Sequence, residues 1–339
     1  MKIITVEEHF MCKAVNDWYA QVRPGETEMQ KAYSKRNAAL AAQGVLTDLG
    51  EGRFAAMDAG GVAVQVIGYG DNAPMQLRKD EGAVKYCEMA NDCLHEGIRA
   101  NPDRLRGYAT LPVDDPDAAV TELTRCVQEL DFAGWMINGP FNGEFLDEAR
   151  FFPIFEKAAE LGIPVYLHPG EVKGEIIDRY YTGSWNLAAA TAFAGYGIGW
   201  NYDTGMHLMR LILSGIFDKL PPLRVIVGHW GELLPYYLER MNGVLRPNVT
   251  GLKQDIRHYF WHNVYTNPSG MYDANLFDFC LKTLNPEHIL WGQDYPFVAN
   301  AGNAADFLER HAPDAALREQ IAHGNAERLF GLTVSQSRE

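Results

Sequence analysis

Two kinds of apolar pattern alternate along the chain: short continuous or alternating runs, and longer stretches in which apolar residues recur every three or four positions. The first kind predicts strands and the second helices. Strands are predicted at Lys2 to Glu8, Ala63 to Gly68, Leu105 to Leu111 and Phe132 to Ile137. Four more follow at Ile163 to Leu167, Leu223 to Val227, Asn263 to Thr266 and His288 to Trp291. Helices are predicted at 53–59, 79–100, 116–129, 151–161, 204–217, 234–244, 251–259, 273–284, 304–310 and 315–330. Gly60-Gly61 and Gly162 end two of them, and Asn101-Pro102-Asp103 ends a third. Asp114 or Asp115 caps the helix that begins at 116.

Strand–helix alternation predicts a parallel sheet. Eight repeats predict an α/β fold, a closed (β/α)8 TIM barrel formed as one domain over 1–339, with insertions after strands one and five. An open doubly wound sheet is the alternative. The first insertion, 11–52, is polar with helical stretches such as Gln30 to Gln43. The second, 170–203, is rich in glycine and aromatics and reads as a lid or wall over a site, with a helical stretch at 185–193. No glycine-rich phosphate loop follows a strand, and no Pro/Ser-rich linker divides the chain.

Composition narrows the function classes. Of 339 residues, 47% are hydrophobic and 22% charged, which is ordinary for a globular protein. The formal net charge of −14 argues against nucleic acid or an anionic membrane as partner. No basic region precedes a long apolar run, and no apolar stretch reaches the length of a membrane span. Five cysteines, an odd number without a Cys-x-x-Cys, read as reduced thiols in a cytoplasmic protein.

The chemistry gathers at strand ends. Strand one ends Glu7-Glu8-His9, strand five His168-Pro169-Gly170, strand six Gly228-His229-Trp230-Gly231-Glu232, and strand eight Gly292-Gln293-Asp294-Tyr295. Alternate side chains of a strand share a face, so Glu7 and His9 point the same way. In a barrel, such ends meet on one face. Singly, each residue has a structural explanation: His168 as a satisfied loop histidine, Asp294 and His229 as helix caps. Together, Glu7, His9, His168 and Asp294 form a ligand set for one divalent cation, Zn²⁺ or Mn²⁺. Strand four ends Ile137-Asn138-Gly139 with no residue to bridge a second metal.

The ordered pieces Glu-Glu-His-Phe at 7–10, Tyr-Leu-His-Pro at 166–169 and Leu-Ile-Leu-Ser-Gly-Ile-Phe-Asp at 211–218 belong to a wider pattern. It continues with Gly-His-Trp-Gly-Glu at 228–232, Leu-Pro-Tyr at 234–236, Arg240, Asp-Tyr-Pro-Phe at 294–297 and Asn-Ala-Glu-Arg-Leu-Phe at 325–330. The chain thereby resembles the metal-dependent decarboxylases of the amidohydrolase superfamily, the γ-resorcylate, 2,3-dihydroxybenzoate and 5-carboxyvanillate group. Resemblance runs over nearly the whole chain and is weakest at 11–52 and 170–200. It implies non-oxidative decarboxylation of an ortho-hydroxylated aromatic acid, by ring protonation and then loss of CO₂. It implies one metal held by Glu7, His9, His168 and Asp294, no organic cofactor, and a homodimer or homotetramer. Asp294 is then also the acid, with His229 and Glu232 assisting, and Arg240, Trp230 and Asn267 are placed against substrate. Glu232 serves equally as an orienting partner of His229 or a helix cap, Arg240 as a substrate contact or a surface or intersubunit salt bridge. Trp230 either stacks on the ring or fills the barrel top. Trp230 and the run Tyr265-Thr-Asn-Pro-Ser-Gly270 depart from the relatives' pattern and leave the ring's identity open. A mononuclear metal hydrolase, using Asp294 as base, and a noncatalytic binding barrel are the competing classes.

Overall fold

The computed structural model describes residues 1–22, 27–29, 31, 32, 35, 39, 40, 43–70, 74–298 and 302–332. Seven strands form one sheet in sequential order: β1 (Ile4–Phe10), β2 (Val64–Tyr69), β3 (Leu105–Ala109), β4 (Gly134–Asn138), β5 (Val165–His168), β6 (Val225–Val227) and β7 (Val264–Thr266). Every neighbouring pair is parallel. Parallel neighbours require crossovers, and helices supply them throughout.

The eighth predicted strand does not form a ladder. His288 ends a short helical turn, Pro286–His288, and the following segment makes single bridges instead. Ile289 bridges to Thr266 of β7, while Trp291 and Tyr295 bridge to Thr5 and Glu8 of β1. One segment thus touches both edges of the sheet. The curl is visible in the packing as well. Ile4, Val6, Val64, Val66, Tyr108, Met136, Tyr166, Ile226 and Leu290 form one buried cluster, drawn from six strands and the bridging segment. A larger apolar cluster lies between strands and helices.

Helix Pro116–Gln128 illustrates how the outer layer is specified. Pro116 occupies its first turn and the Asp115 side chain accepts from Ala118 N. Ala119, Glu122, Leu123 and Cys126, spaced three and four apart, are buried. The buried Glu122 carboxylate is matched by Arg125 Nε at 2.8 Å and Asn91 Nδ2 at 2.7 Å. In the first expected insertion, helix Lys13–Val22 is present, whereas the stretch expected at Gln30 to Gln43 falls mostly outside the described residues. In 170–203 there are short helical segments, Gly174–Ile176 and Leu187–Ala192, before helix Gly199–Leu213 begins. Among the described residues, no helix is long and apolar enough to cross a membrane.

His207 sits in helix Gly199–Leu213, fully buried, and its Nε2 accepts the Leu146 N–H at 2.9 Å. Burial, reinforced by Arg210, pushes its pKa from 6.5 down to about 3. Between these values the unfolded chain binds a proton that the folded chain refuses, so stability falls as pH falls. His207→Gln is expected to flatten the fall of the urea midpoint between pH 6.5 and 4. An unaltered slope would refute this account of His207.

Candidate metal centre

β1 is not a regular strand. Thr5 pairs with Gln65 but Glu8 with Ile67, so β1 carries one extra residue between them. Such a bulge changes which side chains face inward. Ile4 and Val6 belong to the inner cluster, yet after the bulge it is Glu7 and His9, not Glu8, that face the site. There Glu7, His9, His168 and Asp294 each offer a ligand atom, all within 4.8 Å of one another. Two donors about 2.1 Å from one ion stand at most about 4 Å apart, so the set nearly has the span of a single site. His9 Nε2 lies 3.2 Å from Asp294 Oδ1, and His168 Nε2 lies 3.7 Å from Glu7 Oε1. The His9 and His168 rings meet edge to face at 4.7 Å.

Glu7 is completely buried, and two hydroxyls hold it. Tyr166 and Ser269 both donate to Oε2. Oε1 has no hydrogen-bond partner among the described residues. A buried carboxylate oxygen without a donor is costly unless a cation meets it. Burial raises the Glu7 pKa, but His229 and His168, with the Ser269 and Tyr166 hydrogen bonds, outweigh it and leave the pKa below the usual value. Burial pushes His9 down to about 4. Burial and the adjoining His9 ring push His168 down to about 3. His168 Nδ1 faces the Pro169 carbonyl at 2.7 Å, which fixes the proton there and leaves the Nε2 lone pair for the cluster. An ionised carboxylate with a free oxygen and two uncharged imidazoles is a donor set that fits one divalent cation.

Gly228 is required for this packing. A Cβ there would stand 2.6 Å from Glu7 Oε2 and 2.9 Å from the Tyr166 hydroxyl. After it the chain turns left-handed: His229, Trp230, Gly231, Glu232 and Leu233 all have positive φ, from 47° to 87°. Non-glycine residues avoid this region, at a cost of about 1–2 kcal/mol each. His229 N is held by Ser269 Oγ at 2.9 Å and Trp230 N by the Asn267 carbonyl at 2.9 Å. The turn brings His229 Nδ1 to 2.8 Å from Glu232 Oε1, and Asn201 Nδ2 donates to Glu232 Oε2 at 2.9 Å. Burial disfavours a charged His229, but Glu232, with Glu7 and Asp294 beyond, raises its pKa to about 10. Asp294 and Ser269 also adopt positive φ, at 58° and 45°. His168, His229 and Asp294 side chains retain 16%, 16% and 13% exposure, so the cluster is approached from their side.

Trp230, Asn267 and Arg240, the residues expected against substrate, lie in three different settings. Trp230 is buried beside Phe277 and Trp291, and its Nε1 donates to the Met271 carbonyl at 2.8 Å; it fills the core. Asn267 is fully buried, donating to the Tyr166 hydroxyl at 2.8 Å and accepting from Ser269 N at 2.8 Å. Its amide supports the groups that hold Glu7. Arg240 is exposed on helix Leu234–Val244.

Several supporting residues escape sequence reasoning. Glu8, turned away from Glu7, accepts from Gln293 N at 3.0 Å and Tyr295 N at 2.9 Å, the two neighbours of Asp294. Burial raises its pKa to about 8. Arg53, fully buried, donates to the His9 carbonyl at 2.6 Å and to Gln65 Oε1 at 3.0 Å. The second glutamate of Glu-Glu-His is a visible signal, since a charged residue facing away from the site in a buried strand needs partners. Nothing in the sequence marks Arg53.

Residues 42–332 match the family described as amidohydrolase. The chain is 32% identical to the decarboxylase orsB of Emericella nidulans, over 84% of this chain and 86% of that protein. It is 33% identical to a γ-resorcylate decarboxylase of a Polaromonas species, over 85% and 89%. A solved dihydroxybenzoic acid decarboxylase from Polaromonas, with bound manganese and the inhibitor 2-nitroresorcinol, superimposes with a TM-score of 0.81. That match has 30% identity and covers 97% of both chains.

Ser269→Ala removes one donor to Glu7 and the acceptor of His229 N. Its expected effect is a roughly 10- to 100-fold weaker affinity for a divalent cation, read by competition with a chromogenic chelator, with the circular dichroism spectrum retained. Undiminished affinity would show that Ser269 does not position Glu7.

Proposed function

The chain belongs to the amidohydrolase family, and from that premise we propose that it decarboxylates ortho-hydroxylated aromatic acids without net oxidation. It is a carboxy-lyase of the branch that contains the γ-resorcylate decarboxylases. The observation that carries the reading is the convergence of Glu7, His9, His168 and Asp294 in a chain whose full-length relatives are named decarboxylases. We read residues 1–339 as one (β/α)8 barrel domain, with 11–52 and 170–203 as its insertions and 289–295 as the closing edge. The bridges to β1 and β7 support this.

Glu7, His9, His168 and Asp294 would hold one divalent cation, manganese as in the Polaromonas structure or zinc, which when bound supplies Lewis acidity toward the substrate's carboxylate and ortho oxygen. The chain's own residues supply the proton. Asp294, on the open side of the cluster and protonated in the substrate complex, gives its proton to the ring carbon that bears the carboxylate. The carbon–carbon bond to the carboxylate then breaks, its electron pair restores the aromatic ring, and CO₂ leaves. His229 keeps its Nδ1 proton on Glu232 and presents Nε2 to the substrate, in the orientation that Glu232 and Asn201 fix. The left-handed turn aims that imidazole before substrate arrives.

We assign Arg240 to an oligomer surface. Tyr237, Arg240 and Val244 recur three and four apart on one helix face, with Leu233 just before the helix, and the apolar Leu233, Tyr237 and Val244 are 43%, 55% and 57% exposed. Tyr236, 77% exposed, adds to it. A homodimer or homotetramer would cover these side chains. The five unpaired cysteines support a cytoplasmic protein.

The deciding measurement is CO₂ release from manganese- or zinc-loaded protein against ortho-hydroxylated benzoates, γ-resorcylate first. Release that stops with a chelator and returns with metal is expected. Silence across the panel with one metal bound per chain would reject the reading in favour of a hydrolase. Asp294→Asn is expected to lower kcat about 100- to 10,000-fold even when metal is bound. Near-normal turnover in the loaded variant would remove Asp294 as the acid. His9→Ala should lose metal and activity together, and undiminished metal content would remove His9 from the ligand set.

A further inference from the structure

Two of the five cysteines face each other. Cys12 follows β1 by two residues and directly precedes helix Lys13–Val22. Its sulfur lies beside the Cys93 thiol and against the backbone N–H groups of Ala14 and Val15 in the first turn of that helix. Cys93 lies on helix Ala83–Ala100 and is half-buried. Both thiols line an open cavity of about 470 Å³, with Lys85, Glu88, Met89, Asp92 and Glu96 around them. The other cysteines have no such arrangement. Cys87 is fully buried, Cys126 is matched to Glu122, and Cys280 faces the Trp230 carbonyl. Burial raises all three of those thiols.

The Cys93 thiol, facing Cys12, outweighs burial and lowers the Cys12 thiol, whereas the same contact raises Cys93. The Cys12 sulfur is therefore the more readily ionised of the two, and the Cys93 thiol is the donor between them. A nucleophilic thiolate beside a second thiol is the arrangement that converts oxidation into a cross-link.

We propose that Cys12 and Cys93 are a modification site, a thiol pair that a small neutral hydroperoxide oxidises to a reversible disulfide. The Cys12 thiolate attacks one peroxide oxygen, the O–O bond breaks, and a sulfenic acid and hydroxide form. The Cys93 sulfur then attacks the Cys12 sulfur, the S–O bond breaks, and the S–S bond forms. The Cys93 proton leaves with the departing hydroxide as water. The first hydroxide takes up the proton that Cys12 had released. Two thiols thus lose two electrons, and one hydrogen peroxide becomes two waters. The cavity selects the oxidant. Three carboxylates against one ammonium repel anionic disulfides such as oxidised glutathione, while an uncharged peroxide enters freely.

The test uses zinc-loaded protein, so that the metal itself is redox-inert, treated with a few equivalents of hydrogen peroxide and mapped by peptide mass spectrometry. The expected product is a peptide pair joined through Cys12 and Cys93, lighter by two hydrogens and restored by dithiothreitol. Oxidised glutathione should form it at least about tenfold more slowly. Cys93→Ser should retain decarboxylase activity and give Cys12 sulfinic acid without a cross-link. Both cysteines unmodified, Cys12 overoxidised without a cross-link in the unaltered protein, or glutathione outpacing peroxide would each overturn the proposal. Should Cys93→Ser fail to fold, the map of the unaltered protein alone decides.

Discussion

The site rests on keeping the Glu7 carboxylate ionised where water cannot reach it. A bare buried charge would protonate or unfold the strand that carries it. Here Tyr166 and Ser269 donate to one oxygen, and the imidazoles of His168 and His229 lie close by. Each supporting group is itself held: Asn267 grips Tyr166 and Ser269, and Ser269 receives His229 N. The ends of β5, β6 and β7 are thereby tied to one carboxylate on β1. The other oxygen remains available, which makes the arrangement a metal centre in form rather than a sealed polar core.

Periodicity made much of this legible. The seven strands lie where short apolar runs predict them, and helix Leu234–Val244 has its expected bounds. The four convergent residues are readable because a parallel sheet brings strand ends together, whatever the loops do. The bulge in β1 is not readable. It decides whether Glu7 or Glu8 faces the site, and it depends on pairing with β2, some sixty residues away. The eighth strand is a similar case: its apolar residues satisfy the pattern, but Pro286 and the turn through His288 leave only single bridges.

Roles were harder to read than positions. Trp230 and Asn267 stand beside metal-centre residues in sequence and in space, yet both bury their polar atoms within the protein. Proximity along the chain cannot distinguish a group that touches substrate from one that fixes its neighbour. Arg240 shows the converse, since its exposure on a partly apolar helix face is set by how the chain folds and leaves no mark on its neighbours in sequence. Glu8 is signalled by its place beside Glu7, whereas Arg53 is legible only in three dimensions, as a guanidinium buried behind β1.

The left-handed turn at 229–233 has an architectural consequence. Four of its five residues carry side chains in a conformation that together costs about 4–8 kcal/mol, comparable with a domain's entire net stability. Such a turn cannot persist as a free peptide and cannot be copied as a string of letters onto another loop. Its shape resides in Ser269, Asn267 and the helix carrying Asn201, far away in sequence. The inheritable and transplantable unit is therefore the turn together with those braces. Homologues that exchange His229 or Trp230 should be free to vary only as far as that scaffold allows.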